Sequence, residues 1–149
     1  MQLQSESNPA LNTVTAYGED YIEINAVSYD HAVYFGPEGE IKSWPVKTVS
    51  DISAAMLREA AGLKDEVVDP MAFLDAGAAP AKPIDAPEVL LIGTGLNQHF
   101  LPPQTTQSLL KLGIGVEAMS TQAAARTYNI LMAEGRRVVA ALLPLEPSQ

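Results

Sequence analysis

The spacing of hydrophobic residues divides the chain into a half with a period of two and a half in which apolar strands alternate with helices. Apolar and polar residues alternate over 13–17 and 21–24, on either side of a glycine-containing turn, which is typical of a β-hairpin. A further strand is predicted over 31–35. A short strand over 41–46 contains Pro45, which favours an edge position.

The middle of the chain is predicted to hold one helix and a long loop. The helix extends to about Ala61 and is capped by Ser50 or Asp51. Lys64–Pro87 is rich in Ala, Pro and Asp and is predicted to run over the surface, with a short helix at 69–74.

The second half has the pattern of a βαβαβ unit. The predicted elements, in the order strand, helix, strand, helix, strand, cover 88–92, 103–112, 114–118, 121–134 and 138–143. The first strand is continuously apolar, so we expect it to be covered on both faces. The crossovers should be right-handed, giving an α/β fold with N-terminal antiparallel strands followed by parallel ones.

Length and composition indicate a single domain. A chain of 149 residues that is 47% hydrophobic is large enough to bury a core, and we expect one domain at 13–144 between tails at 1–12 and 145–149. Only 18% of the residues are charged, which favours either a large core or a neutral covered face. A homodimer therefore remains one open alternative.

The net charge of −9 makes this an acidic protein and argues against nucleic acid and anionic membranes as partners. The absence of cysteine excludes disulfides, thiolate catalysis and cysteine metal sites. His31 and His99 lie far apart in sequence, so no metal site and no cofactor are predicted. The first residues resemble no targeting segment, and no apolar run is long enough to cross a membrane, so we expect a cytoplasmic protein.

Two glycines mark the end of the first buried strand. Gly93-Thr94-Gly95 allows positive φ and close backbone approach, and such a turn can present amide groups to an anion. A dinucleotide fingerprint requires a third glycine where Gln98 stands. A tight structural turn is the simpler interpretation, and His99, just beyond it, has no partner nearby in sequence for acid–base chemistry.

The last helix carries the most informative stretch. Tyr128 lies on its apolar face and is predicted to be a core aromatic whose hydroxyl needs a partner, with a pocket-lining role as the alternative. Glu134 falls beside apolar positions on the helical wheel, so it is predicted to be partly buried and to form a structural ion pair with Arg136 or Arg137.

The order and spacing of several segments in the second half resemble one family closely. They are Leu90-Leu91-Ile92-Gly93-Thr94-Gly95, Gly113-Ile114-Gly115-Val116-Glu117, Met119-Ser120-Thr121, Arg126-Thr127-Tyr128-Asn129-Ile130-Leu131 and Glu134-Gly135-Arg136. This uncharacterised-domain family includes mitochondrial complex I (NADH:ubiquinone oxidoreductase) assembly factor 3 and small prokaryotic relatives. The resemblance implies a three-layer α/β domain around a mixed central sheet, no established enzymatic activity and a link to respiratory complex assembly.

These observations lead to a hypothesis of a non-enzymatic interaction or assembly module with a protein partner. Ligands of open α/β sheets favour the carboxyl ends of the strands. The predicted binding surface at those ends comprises Gly93, Thr94, Gly95, Asn97, Met119, Ser120, Thr121 and Arg126. The alternative is a small-molecule or anion-binding protein, or a weak enzyme, that uses the Gly93-Thr94-Gly95 turn. No catalytic residues are predicted.

Overall fold

The N-terminal strands form a small antiparallel sheet of their own. In the computed structural model, which describes residues 11–63 and 86–145, the predicted hairpin is present as β1 (Val14–Gly18) and β2 (Tyr21–Ile24). A third strand, β3 (Val27–Tyr29), pairs with β2 and was not predicted. Asn25 and Ala26 make the turn before it with φ of 55° and 66°, a conformation common for asparagine but not for alanine.

The remaining strands form a mixed five-stranded central sheet. They are β4 (Val33–Phe35), β5 (Lys42–Ser43), β6 (Val89–Gly93), β7 (Gly115–Met119) and β8 (Val138–Leu142). Their order is β5-β4-β8-β6-β7. Strand β6 is parallel to both β7 and β8, as predicted for a βαβαβ unit, whereas β4 is antiparallel to β8 and β5.

Helices cover both faces of this sheet and make the domain three-layered. On one face, α1 (Ala54–Ala60) and α2 (Pro103–Lys111) pack over Leu90 and Ile92 of β6. On the other face, α3 (Thr121–Ala133) and the small sheet pack over Leu91. The side chains of β6 therefore alternate between two hydrophobic clusters, and the predicted burial of this strand on both faces is confirmed.

The predicted start of α1, with Ser50 or Asp51 as its cap, is wrong by two or three residues, because the observed cap is Ser53. The Asp51 carboxylate accepts hydrogen bonds from the backbone N–H groups of Lys47 and Thr48, at 3.1 and 3.2 Å, and so caps a separate 3₁₀ turn at Val49–Asp51. Ile52 is extended, so the α-helix begins only after Ser53, whose hydroxyl accepts the N–H of Met56.

Helix α3 holds the small sheet in place through its polar side chains. Tyr128 is fully buried and its hydroxyl donates to the backbone oxygen of Asn12 at 2.8 Å, so it is a core aromatic and does not line a pocket. Burial raises the pKa of this phenol. The Asn129 side-chain amide accepts a hydrogen bond from the N–H of Val14 at 3.0 Å and donates one to the C=O of Val14 at 2.9 Å. It thus makes the two hydrogen bonds that the backbone of a neighbouring strand would make.

The predicted ion pair between Glu134 and Arg136 is also corrected. Glu134 is exposed at the end of α3, and Arg136 instead pairs with Glu88, with Nη2 and Oε1 3.0 Å apart. The Arg136 side chain and the N–H of Arg137 hydrogen-bond the Glu88 carboxylate and hold its pKa below the usual value. The short helix predicted at 69–74, most of the Lys64–Pro87 loop and most of both tails lie outside the described residues.

Candidate functional site

The glycine turn and the beginning of α3 meet at the carboxyl end of the central sheet. The N–H of Gly95 donates to the Thr121 hydroxyl at 2.9 Å, and the N–H of Thr121 donates to the Gly95 oxygen at 2.8 Å. The N–H of Thr94 donates to the Met119 oxygen at 2.8 Å. The structure therefore brings together the two segments that the sequence placed at one rim.

Half of the predicted surface residues are nevertheless buried. Gly93, Thr94, Gly95 and Thr121 are all inaccessible, Thr121 completely so. A Cβ on Gly93 would lie 3.0 Å from the Thr121 Cα, and Gly95 has a φ of +97°. Both glycines are thus required by close packing and backbone conformation, and these four residues mainly support the rim, although Thr94 and Gly95 expose a small area to the groove described below.

The turn does not present free amides to an anion. Its N–H groups at Thr94 and Gly95 are bonded as described above, and the N–H of Leu96 donates to the Leu145 oxygen at 2.9 Å. Three consecutive amide donors are therefore used within the fold. An anion-binding nest requires such donors to converge on open space, and this turn does not provide it.

The segment that follows the turn is anchored but exposed. The Thr94 hydroxyl donates to the Asn97 oxygen at 2.6 Å and accepts the N–H of His99 at 3.2 Å. The Gln98 side chain donates to the Ala118 oxygen on β7 at 2.9 Å. Residues 96–102, which we call the rim loop, are thus fixed to the sheet through polar groups while most of their side chains face solvent.

Phe100 is the feature of this loop that sequence reasoning missed. Its side chain is 84% exposed, and Leu96 in the same loop is 53% exposed. The other exposed large apolar side chains within the described residues, Val27, Leu110 and Ile130, lie singly on β3, α2 and α3. An exposed apolar cluster is a common mark of a protein-binding surface, whereas single exposed apolar residues are ordinary.

A groove of about 750 Å³ runs beside Phe100 and Leu96. It is formed by parts of three segments that are distant in sequence, 47–52, 94–102 and 143–145. Ile52 and Leu143, both almost fully buried, contribute to its apolar lining. We call it the Phe100 groove.

The remaining predicted site residues have mixed positions. Asn97 is exposed and lines the Phe100 groove, while Met119 and Ser120 are half-buried and outside its lining. The Ser120 hydroxyl caps α3 by accepting the N–H of Ala123 at 3.3 Å. Arg126 is exposed on α3, makes no ion pair with any described residue, and does not line the groove.

No metal centre is formed by residues 11–63 and 86–145, because no three His, Asp or Glu side chains are suitably grouped there. His99 is exposed and lines the Phe100 groove. Over the same residues, no helix has the length and apolar character needed to cross a membrane.

A second cavity, of about 580 Å³, lies at the opposite end of the sheet. Tyr34, Lys42 and Glu59 line it, and the Lys42 ammonium lies 6.0 Å from the centre of the Tyr34 ring. Burial, together with the negative charge of Glu59, raises the pKa of Tyr34. The cavity adjoins Gly62 and Pro87, close to both ends of the undescribed 64–85 segment.

The fold and the rim define a three-layer α/β domain with an exposed apolar loop at the carboxyl end of its sheet. The model of the family described as "Protein of unknown function (DUF498/DUF598)" matches residues 14–143, and the chain belongs to this family.

Solved structures support the same assignment. A Bordetella pertussis protein solved by NMR and described as a Mth938-like domain is 59% identical, with a TM-score of 0.80 over 99% of this chain and 95% of that chain. A Bordetella parapertussis crystal structure is 57% identical, with a TM-score of 0.74 over 91% of this chain and 97% of that chain.

Curated relatives match a shorter part of the chain. An uncharacterized Rhodobacter capsulatus protein is 50% identical over 58 residues, 39% of this chain and 47% of that protein. Mouse NADH dehydrogenase (ubiquinone) 1 alpha subcomplex assembly factor 3 is 42% identical over 57 residues, 38% of this chain and 31% of that protein. The match thus spans less than half the length of these relatives. The family includes complex I assembly factors.

Proposed function

We propose that this protein is a non-enzymatic assembly module that docks a partner protein in the Phe100 groove. The observation that carries this proposal is the 84% exposure of Phe100 beside Leu96, in a loop that the fold holds firmly. Interfaces concentrate binding energy in a few aromatic and apolar anchors that are desolvated when the partner binds.

The names of the relatives suggest which complex the partner belongs to. Several vertebrate relatives are called NADH dehydrogenase alpha subcomplex assembly factors. We therefore propose that the partner is a subunit of an NADH dehydrogenase that is being assembled. The engaged amides of Thr94, Gly95 and Leu96 favour this protein-docking role over anion binding.

The test compares the tagged full chain with Phe100→Ser and with Ile130→Ser. Ile130 is 59% exposed but lies on α3, away from the groove, so it is a matched control for loss of one exposed apolar side chain. Each protein is purified from its native cell after mild crosslinking, and co-purified NADH dehydrogenase subunits are quantified by mass spectrometry.

We expect the wild type and Ile130→Ser to recover the same subunits and Phe100→Ser to lose them. Equal recovery by Phe100→Ser would reject docking in this groove. Recovery of Phe100-dependent partners from another complex would keep the docking role and reject the respiratory assignment. If no partner depends on Phe100, the chain is not a docking module of this kind.

A further inference from the structure

We infer that the segment occupying the Phe100 groove is an amphipathic stretch of the partner that combines apolar side chains with a carboxylate, and that this carboxylate pairs with Lys47. The inference rests on the proposed docking function and specifies the chemistry of the partner. Two independent properties of the groove support it, its apolar lining and its local charge.

The apolar part of the argument comes from what the groove offers for burial. Phe100 and Leu96 stand at its border with most of their surface accessible and supply nearly all of the apolar area that a partner can cover, while the almost fully buried Ile52 and Leu143 keep the floor of the groove apolar. Covering such a surface is favourable because apolar area is removed from water. A purely polar segment would gain nothing from this lining.

The charge of the groove differs in sign from that of the whole protein. The chain carries 18 acidic and 9 basic residues, yet among the described residues that line the groove only Lys47 has a formal charge at neutral pH. Lys47 is exposed, and within the described residues its ammonium group makes no ion pair. The one formal charge among the described lining residues is therefore positive, opposite in sign to the net charge of the chain.

Asp51 is the acidic residue nearest to Lys47 in sequence, and it is not among the residues that line the groove. Asp51 accepts hydrogen bonds from the backbone N–H groups of Lys47 and Thr48 and so holds the 3₁₀ turn. The polar lining residues Thr48, Ser50 and Asn97 carry no charge. Of the described residues that line the groove, none is therefore negatively charged beside an incoming carboxylate at Lys47.

Charge complementarity disfavours the two simplest other occupants. Two copies of the chain each carry a net charge of −9, and their mutual repulsion opposes association. A membrane with anionic lipids is repelled by the same net charge, and a single lysine is too weak an attraction to offset it, because stable electrostatic attachment to such a surface takes a cluster of lysines and arginines. Both occupants are outcomes of the experiment below.

The first part of the experiment identifies which peptides the groove selects. A random-peptide display library is panned against the full chain after counter-selection on Phe100→Ser, so that only groove-dependent peptides remain. We expect these peptides to be enriched in aromatic or aliphatic residues together with Asp or Glu. Enrichment in Lys or Arg, or no preference for either charge, would overturn the inference.

The second part tests the pairing with Lys47 by charge reversal. The affinity of a selected peptide is measured by fluorescence anisotropy for wild type, Lys47→Glu and Lys111→Glu. Lys111 is exposed at the end of α2, outside the groove, and its reversal changes the net charge equally. We expect Lys47→Glu to weaken binding about three- to tenfold and Lys111→Glu to leave it nearly unchanged.

Recovery by a compensating change completes the charge test. A peptide in which the acidic residue becomes lysine should bind Lys47→Glu better than wild type. Equal effects of the two lysine reversals would show that only net charge matters and would overturn the pairing.

The results separate the inference from the proposed function. If the selected peptides depend on Phe100 but bind Lys47→Glu as well as wild type, the docking function is kept and the pairing of a carboxylate with Lys47 is rejected. If no peptide depends on Phe100, both the docking function and the pairing with Lys47 are rejected. Co-sedimentation with phosphatidylserine vesicles, or a solution dimer that Phe100→Ser dissociates, would assign the groove to a membrane or to a second copy and overturn the inference.

Discussion

The buried glycine turn and the rim loop are consecutive in sequence but have opposite physical roles. Gly93, Thr94 and Gly95 are enclosed and bonded within the fold, whereas Leu96 and Phe100, a few residues later, are largely exposed. The Gly93-Thr94-Gly95 motif, which is conspicuous in the sequence, therefore supports the rim loop, and the rim loop provides the accessible surface. Substitutions in the turn should change stability, and substitutions in the loop should change binding.

The largest expected effect is that of Thr121→Val. The Thr121 hydroxyl accepts the N–H of Gly95 and donates to the Leu143 oxygen, and valine of similar shape leaves both buried groups without a partner. We expect a loss of about 2–4 kcal/mol in the free energy of unfolding, measured by urea denaturation. Thr121→Ser keeps the hydroxyl and should cost much less. Equal losses for the two variants would mean that the hydroxyl is unimportant.

Gly93→Ala should have the next largest effect. The added methyl group would lie 2.8 Å from a Leu142 methyl carbon and 3.0 Å from the Thr121 Cα, so α3 must shift. The expected cost is about 1–3 kcal/mol by the same measurement. Gly115→Ala is the matched control, because a Cβ there meets its nearest neighbour at 3.6 Å, an ordinary contact. A destabilisation of Gly115→Ala as large as that of Gly93→Ala would contradict this account.

Thr94→Val tests the connection between the two regions. The hydroxyl bonds the Asn97 oxygen and the N–H of His99, so its removal should loosen the rim loop at its base. We expect a stability loss of only about 1 kcal/mol, together with faster amide hydrogen exchange at His99 and weaker partner capture. Unchanged exchange at His99 would show that the loop keeps its conformation without this bond.

The smallest effect on stability is expected for Phe100→Ser. Because the side chain is 84% exposed, its removal should change the free energy of unfolding by less than about 0.5 kcal/mol while abolishing partner capture. A clear loss of stability would mean that Phe100 packs against the domain, and the contrast between turn and loop would then disappear.

Local signals explain what the sequence could predict. Ser120 caps α3 and Gly135, with a φ of +80°, follows its end, so both limits of this helix were visible in the chain. The apolar run of β6 likewise indicated a strand buried on both faces. Strand β3 was missed because its turn places Ala26 at positive φ, where sequence reasoning expects glycine or asparagine.

Features that depend on contacts between residues distant in sequence could not be predicted from the sequence. Arg136 pairs with Glu88, 48 positions earlier, because β6 and β8 are adjacent, and a helical wheel contains no such information. The Phe100 groove joins segments around 50, 98 and 144, which meet only after the sheet has formed. The exposure of Phe100 was equally hidden, since the same residue type is most often found in a core.

The anchoring of the rim loop has a consequence for the thermodynamics of docking. Hydrogen bonds of the Thr94 and Gln98 side chains hold the first part of the rim loop. Its end is restricted by Pro102 and by Pro103, the first residue of α2, because proline fixes the backbone angle φ. The conformational entropy of displaying Phe100 is therefore lost when the domain folds. A partner meets a preorganised aromatic anchor, and less of its binding free energy is spent on ordering the loop.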